Sequence, residues 1–210
     1  MTHGSPARAR RRKGAALIGD PNHLALEIAW PAQEPAEVQG LGWGDLVVWF
    51  AGCAVWATGP QAAPVAWTWI DLVEHLARAW GHLLCEEIYP FGLVAVGPEA
   101  LRTRTLLTSV PGKTAIEVED AVHAFQQRHD LAAGLKGIEL PPIWLVREGT
   151  LMRIRAEGRD LWRPCGEVLT TLTRFVDTVR ARTGTPAVRA RDAFARWDAR
   201  EPNRPPSTRR

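Results

Sequence analysis

From Trp67 to Ile88 the chain reads WTWIDLVEHLARAWGHLLCEEI, and no other stretch combines such length, amphipathicity and aromatic weight. Trp69, Leu72, Val73, Leu76, Trp80, Leu83 and Leu84 recur at helical spacing and share one arc. Asp71, His75, Arg78, His82 and Glu86 follow one another on the opposite side. Thr68 is placed to cap the N-terminus, with Asp71 in the first turn where the helix dipole favours an acid. A helix this apolar on one side must lie on something. Its neighbours therefore have to supply a sheet or further helices.

Strand patterns precede the helix. Leu24, Leu26, Ile28 and Trp30 alternate with His23, Ala25, Glu27 and Ala29, the pattern of a half-buried strand that Pro31 ends. PAQEPAEVQGLGWG reads as a loop. Asp45 to Ala57 (DLVVWFAGCAVWA) is apolar on both faces, as in a central strand covered on both sides, with Gly52 as a candidate bulge.

After the helix, Tyr89 to Gly112 is broken by glycine and proline, with a short strand expected over Thr103–Val110. A second helix is expected from Thr114, where TAIE forms a capping box with Glu117. Its inner face holds Val118, Ala121, Val122, Phe125 and His129. Ile138–Val146 and Leu151–Ala156 read as a hairpin around Glu148-Gly149, with Pro141-Pro142 confining the first strand to an edge or to a start after them. A third helix runs from near Pro164 to Gly184, and a fourth starts with Thr185 as cap and Pro186 at its first position. Helices and strands are mixed without repeat or linker. The expectation is a single α+β domain over residues 21–199, a small mixed or antiparallel sheet against about four helices. Residues 1–20 form a basic flexible arm and 200–210 a Pro/Arg-rich tail.

Charge is unevenly placed along the 210 residues. Residues 1–13 carry +5 and residues 200–210 carry +3, so the overall +3 leaves −5 for residues 14–199. An acidic folded part is a poor platform for nucleic acid. The basic run Arg8, Arg10, Arg11, Arg12 and Lys13 is the candidate nucleic-acid contact, and keeping the arm soluble is the equal alternative. Cys53, Cys85 and Cys165 are too scattered for a zinc knuckle or redox pair, which points to free thiols and a cytoplasmic setting. No apolar signal core follows the basic start, and the apolar run from Leu46 to Ala57 falls short of the roughly 20 residues that span a bilayer. No membrane partner is expected. Ten Trp against one Tyr and five Phe place large indoles at core edges or in an interface, because each N–H needs a partner.

Motifs for catalysis are thin. PGKT at 111–114 lacks the first glycine of a phosphate-binding loop, since Leu107 stands at that position, and it reads as a turn before the capping box. His75 and His82 are two turns apart, about 10 Å, too far to share a metal ion. With Arg78 and Glu86 they form instead a candidate partner-binding face. His129, on an apolar face, reads as a buried structural histidine. Cys165 lies near a helix N-terminus without a legible partner, and its default reading is structural. No catalytic, cofactor or metal residue is assigned.

Three segments together carry a resemblance: LVEHLARAWGHLLCEE, FQQRHDLAAGLKGIELPPIWLVREGTLMRI, and the late helix ending in FARW. They resemble the N-terminal accessory region of some bacterial ImmA/IrrE-family metallopeptidases, over roughly residues 23–198. In that family a Trp-containing helix, an RH-[S/D]-L turn and a Pro-preceded hairpin precede the peptidase domain. The peptidase itself holds zinc through HExxH, and no His-Glu pair occurs in this chain. The resemblance therefore implies an accessory or sensing domain and carries over no catalytic residue. The expected function is a non-catalytic regulatory or interaction subunit that binds a protein partner, in a bacterial defence, mobile-element or stress-response system. The rivals are a metal-dependent hydrolase or nuclease whose site the sequence does not reveal, and a nucleic-acid-binding accessory protein using its basic arms.

Overall fold

The long helix finds its support in two antiparallel sheets, as the computed structural model shows over residues 14–56, 65–86, 110–135 and 137–200. The first sheet is built from β1 (Ala16–Gly19), β2 (Leu24–Ala29) and β3 (Trp43–Phe50) in that order. The far edge of β3 is shared by β4 (Cys53–Ala54) and β5 (Val65–Thr68). The second sheet is the meander β6 (Ile143–Glu148), β7 (Leu151–Ala156) and β8 (Arg159–Pro164). Four helices are present among the described residues: α1 (Ile70–Cys85), α2 (Ala115–His129), α3 (Cys165–Arg182) and α4 (Val188–Ala199). The α+β expectation holds, with two antiparallel sheets where one was expected.

One core joins most of these elements. Leu26 and Ile28 of β2, Leu46, Val48 and Phe50 of β3, and Ile143, Leu145, Met152 and Ile154 of the meander pack with the apolar faces of α1, α3 and α4. From α1 the core takes Leu72, Val73, Leu76, Trp80 and Leu83, all buried, each stabilising by roughly 1.5–3 kcal/mol at most. On the other side of the first sheet Ala25, Val47 and Trp49 form a second buried cluster, where Trp49 Nε1 donates to Oε2 of buried Glu27 at 2.9 Å. Both central strands are thus covered on two faces, β2 more completely than its alternation suggests.

Several expected boundaries move for physical reasons. Residues 16–19 were placed in the arm, yet they pair with β2 as an edge strand. The 45–57 stretch is two strands: Phe50 pairs with Cys53, and Ala51 and Gly52 have φ 49° and 78°. Gly52 therefore serves a two-residue hairpin turn, not a bulge. Thr68 belongs to β5 and does not cap α1, whose N-cap is Trp69. Its hydroxyl donates to Asp71 Oδ2 at 2.7 Å. The N-cap of α4 is Ala187, not Thr185, because the Ala187 N–H donates to the Gly40 carbonyl at 3.1 Å and holds residues 185–187 as a connection. β8 was not anticipated; Glu157 and Gly158, φ 48° and 73°, make the turn that creates it. The capping box of α2 forms as read, with Thr114 and Glu117 bonding each other's backbone. The strand expected at 103–110 and both basic ends, 1–13 and 201–210, lie outside the described residues, apart from Val110.

Candidate functional site

The polar side of α1 is divided among three neighbours. At its start, Asp71 Oδ2 accepts hydrogen bonds from Trp67 Nε1 at 3.0 Å and from Thr68, while Arg189 of α4 pairs with Asp71 and, at 3.0 Å, with Glu74. Arg196 also reaches Glu74. Arg78 is exposed beside them and lines a cavity of about 270 Å³ with Asp71, Glu74, Gly134 and Arg189.

His75 is the residue whose environment differs most from expectation. The sequence places it on a solvated arc, but only 8% of it is exposed. The 3-10 turn Leu131–Gly134 lies over it, and a Cβ at Gly134 would stand 2.8 Å from the His75 Cβ. Burial, helped by the charge of Arg78, lowers its pKa to about 4, with a hydrogen bond to the Asp130 backbone pulling the other way. His75 is thus a buried, neutral packing residue.

At the other end of α1, His82 and Glu86 meet the last turn of α2. Arg128 donates through Nη2 to Glu86 Oε1 at 2.8 Å and through Nε to Oε2 at 3.2 Å, a two-point clamp. His82 Nδ1 stands 3.2 Å from Oε2. Burial pushes the Glu86 pKa up, but the bonds from His82 and Arg128, with the charges of His129 and Arg128, outweigh it and hold it at about 2. His129 completes the group. Its ring stacks on Phe125, Nδ1 lies 2.9 Å from the Phe125 carbonyl, and Nε2 is buried without a hydrogen-bond partner, 3.8 Å from Glu86 Oε2. Burial lowers the His129 pKa to about 4. When Nδ1 donates to Phe125, the neutral ring turns a lone pair toward the carboxylate. The cluster is one of structural ties between two helices.

The outward face of the meander presents a different chemistry. Register places Glu148 opposite Leu151, Leu151 opposite Pro164, and Arg153 opposite Trp162, so all five share one face. Leu151 is 39% exposed and Trp162 45%. Trp162 Nε1 donates to Glu148 Oε2 at 2.7 Å, and the Arg153 guanidinium lies 5.2 Å from the indole centroid. Arg153 Nε and Arg155 Nη1 both bond Asp160, at 2.9 and 2.7 Å, and Arg153 also pairs with Glu148 at 3.6 Å. An aromatic ring is therefore fixed at its edge while much of it stays open to solvent. Trp162 is hard to read from the sequence because β8 has no apolar alternation to mark it as a strand. The Glu157-Gly158 turn between two short runs was the available signal.

Among the described residues no group of three or more His, Cys, Asp or Glu side chains is arranged to hold a metal ion. Among them, no helix is long and apolar enough to cross a membrane. No protein-family model, no curated protein and no solved structure matches the chain.

Proposed function

We propose that the protein works by binding another protein through the outer face of β7 and β8, as an interaction or regulatory subunit. The supporting observation is Trp162, held by Glu148 and Arg153 with 45% of its surface exposed beside Leu151. Tryptophan and arginine are the residue types that carry most energy at interfaces, and a pre-fixed ring loses little entropy on docking. The mixed charges of Arg153, Arg155, Asp160 and Glu148 neutralise one another, which suits a protein surface better than a polyanion. The sequence resemblance to a peptidase accessory region points the same way.

The test is a photo-crosslinking side chain placed at Leu151 in cells that naturally make the protein. One discrete crosslinked protein, absent when the crosslinker is placed on exposed Glu119 of α2, supports the reading. Turnover of peptide or nucleic acid by the purified chain, unaffected by Trp162→Ala, would count against it.

A further inference from the structure

A cavity of about 340 Å³ opens between the loop after β2 and the end of α3, lined by Trp30, Glu34, Gln39, Trp43, Arg182 and Thr185 among others. Its walls are tied together. Glu34 accepts the Gly40 N–H on Oε2 at 2.7 Å and the Trp43 N–H on Oε1 at 2.8 Å, which pins the carboxylate inside its own loop. Gly40 touches the opposite wall so closely that a Cβ would stand 2.7 Å from the Thr185 carbonyl oxygen. The Ala187 N–H closes the seam by donating to the Gly40 carbonyl. On the far side α3 ends at Thr183, whose N–H and hydroxyl both donate to the Val179 carbonyl at 2.9 and 2.6 Å.

Three features agree on the sign of charge that such a cavity takes. The C-terminal end of a helix carries partial negative charge, Glu34 adds a full one, and indoles attract cations over their faces. Each Glu34 oxygen accepts a backbone N–H, which holds the carboxylate in place as a fixed negative charge in the wall. The indole walls of Trp30 and Trp43 offer no hydrogen-bond acceptor, which favours a cation with a C–H periphery over one bristling with N–H groups. The volume lies at the low end for ligand sites, enough for a compact head and a short chain. We infer that this cavity binds an alkylated organic ammonium group, carried either by a small amine or by a methylated lysine of another protein. The inference is independent of the β7–β8 surface. Arg182, exposed and also lining the cavity, opposes such a ligand and provides a diagnostic.

The full-length protein is titrated with choline, with a trimethyllysine peptide, and with sodium acetate at matched ionic strength, following the indole N–H resonances of Trp30 and Trp43. Choline or the peptide should shift both saturably while acetate does not. Tighter binding of the peptide assigns the source to a protein side chain, and equal binding assigns it to a small amine. Trp43→Ala should weaken binding about threefold or more, and Glu34→Gln should weaken it also. Arg182→Gln, at an exposed position that leaves the fold intact, should strengthen it. Saturable acetate binding abolished by Arg182→Gln would overturn the inference, as would the absence of any cation-dependent shift.

Discussion

Arg128 grips Glu86 with two hydrogen bonds, and through them the last turn of α2 is fastened to the end of α1. The folded Glu86 pKa of about 2 lies below its ordinary 4.5, so this contribution is complete above 4.5 and is lost as pH falls toward 2. At neutral pH, where His129 is neutral, the Arg128 part persists and is worth on the order of 1–3 kcal/mol. Arg128→Ala should destabilise by about 1–3 kcal/mol and flatten the acid limb below pH 4.5, as chemical denaturation across pH would read.

A second pH window comes from the interior. His75 and His129 are folded with pKa values of about 4 against an ordinary 6.5, so between those values the unfolded chain binds two protons that the folded chain does not. Asp130 works in reverse. Burial raises its pKa to about 6 from 3.8, despite the N–H groups of Ala132 and Ile143 on Oδ1, so the folded chain holds one proton more there. Among these three groups the net difference is one proton, and stability should fall by about 1.4 kcal/mol per pH unit as pH drops from 6 to 4.5, below which Glu86 adds to the loss. Asp130→Asn keeps the acceptor oxygen and removes the opposing proton, so the slope should steepen to about twice that value.

Packing at the α1 face makes a graded prediction. Leu76, fully buried, should cost about 2–5 kcal/mol as Leu76→Ala. A solvated His75, as the helical spacing predicts, would make Leu76→Ala several times more costly than His75→Ala. Its burial beneath the 131–134 turn raises the expectation to about 1–3 kcal/mol. Gly134→Ala drives a methyl into the His75 side chain and should cost a similar amount, measured by urea denaturation.

The glycines ahead of β3 are the other rigid contact. Gly40 has φ 74° and meets backbone of residues 185–187, while Gly42 has φ 70° and meets Val179 and Thr183 side chains. Gly40→Ala should destabilise more than Gly42→Ala, because backbone gives way less readily than side chains. Both losses should exceed about 1 kcal/mol. Equal and negligible changes in melting temperature would contradict this packing.

Local chemistry explains which parts were legible in the sequence. The Thr114–Glu117 capping box, the amphipathic α1 and the β6–β7 hairpin are set by neighbours a few residues away, so spacing revealed them. The burial of His75, the Arg128 clamp on Glu86 and the shifted cap of α4 each depend on a partner far along the chain. β8 escaped because Arg159, Asp160 and Arg163 break its apolar pattern, their charges being met by Glu157, Asp160's arginines and Glu167 respectively. Of the four residues expected to meet a partner, His75 is buried, Glu86 is clamped, His82 leans on Glu86, and Arg78 remains exposed. The surface with an open aromatic residue lies instead on the strand that was not foreseen.

The affinity of the crosslinked partner for wild-type and Trp162→Ala protein, measured side by side by calorimetry, distinguishes docking on the β7–β8 face from docking elsewhere. The variant should melt within about 1 kcal/mol of wild type, because the ring is half outside the core. Its affinity should drop by about thirtyfold or more, the loss of an interface anchor worth about 2 kcal/mol. An unchanged dissociation constant in a folded variant would show that the partner docks elsewhere.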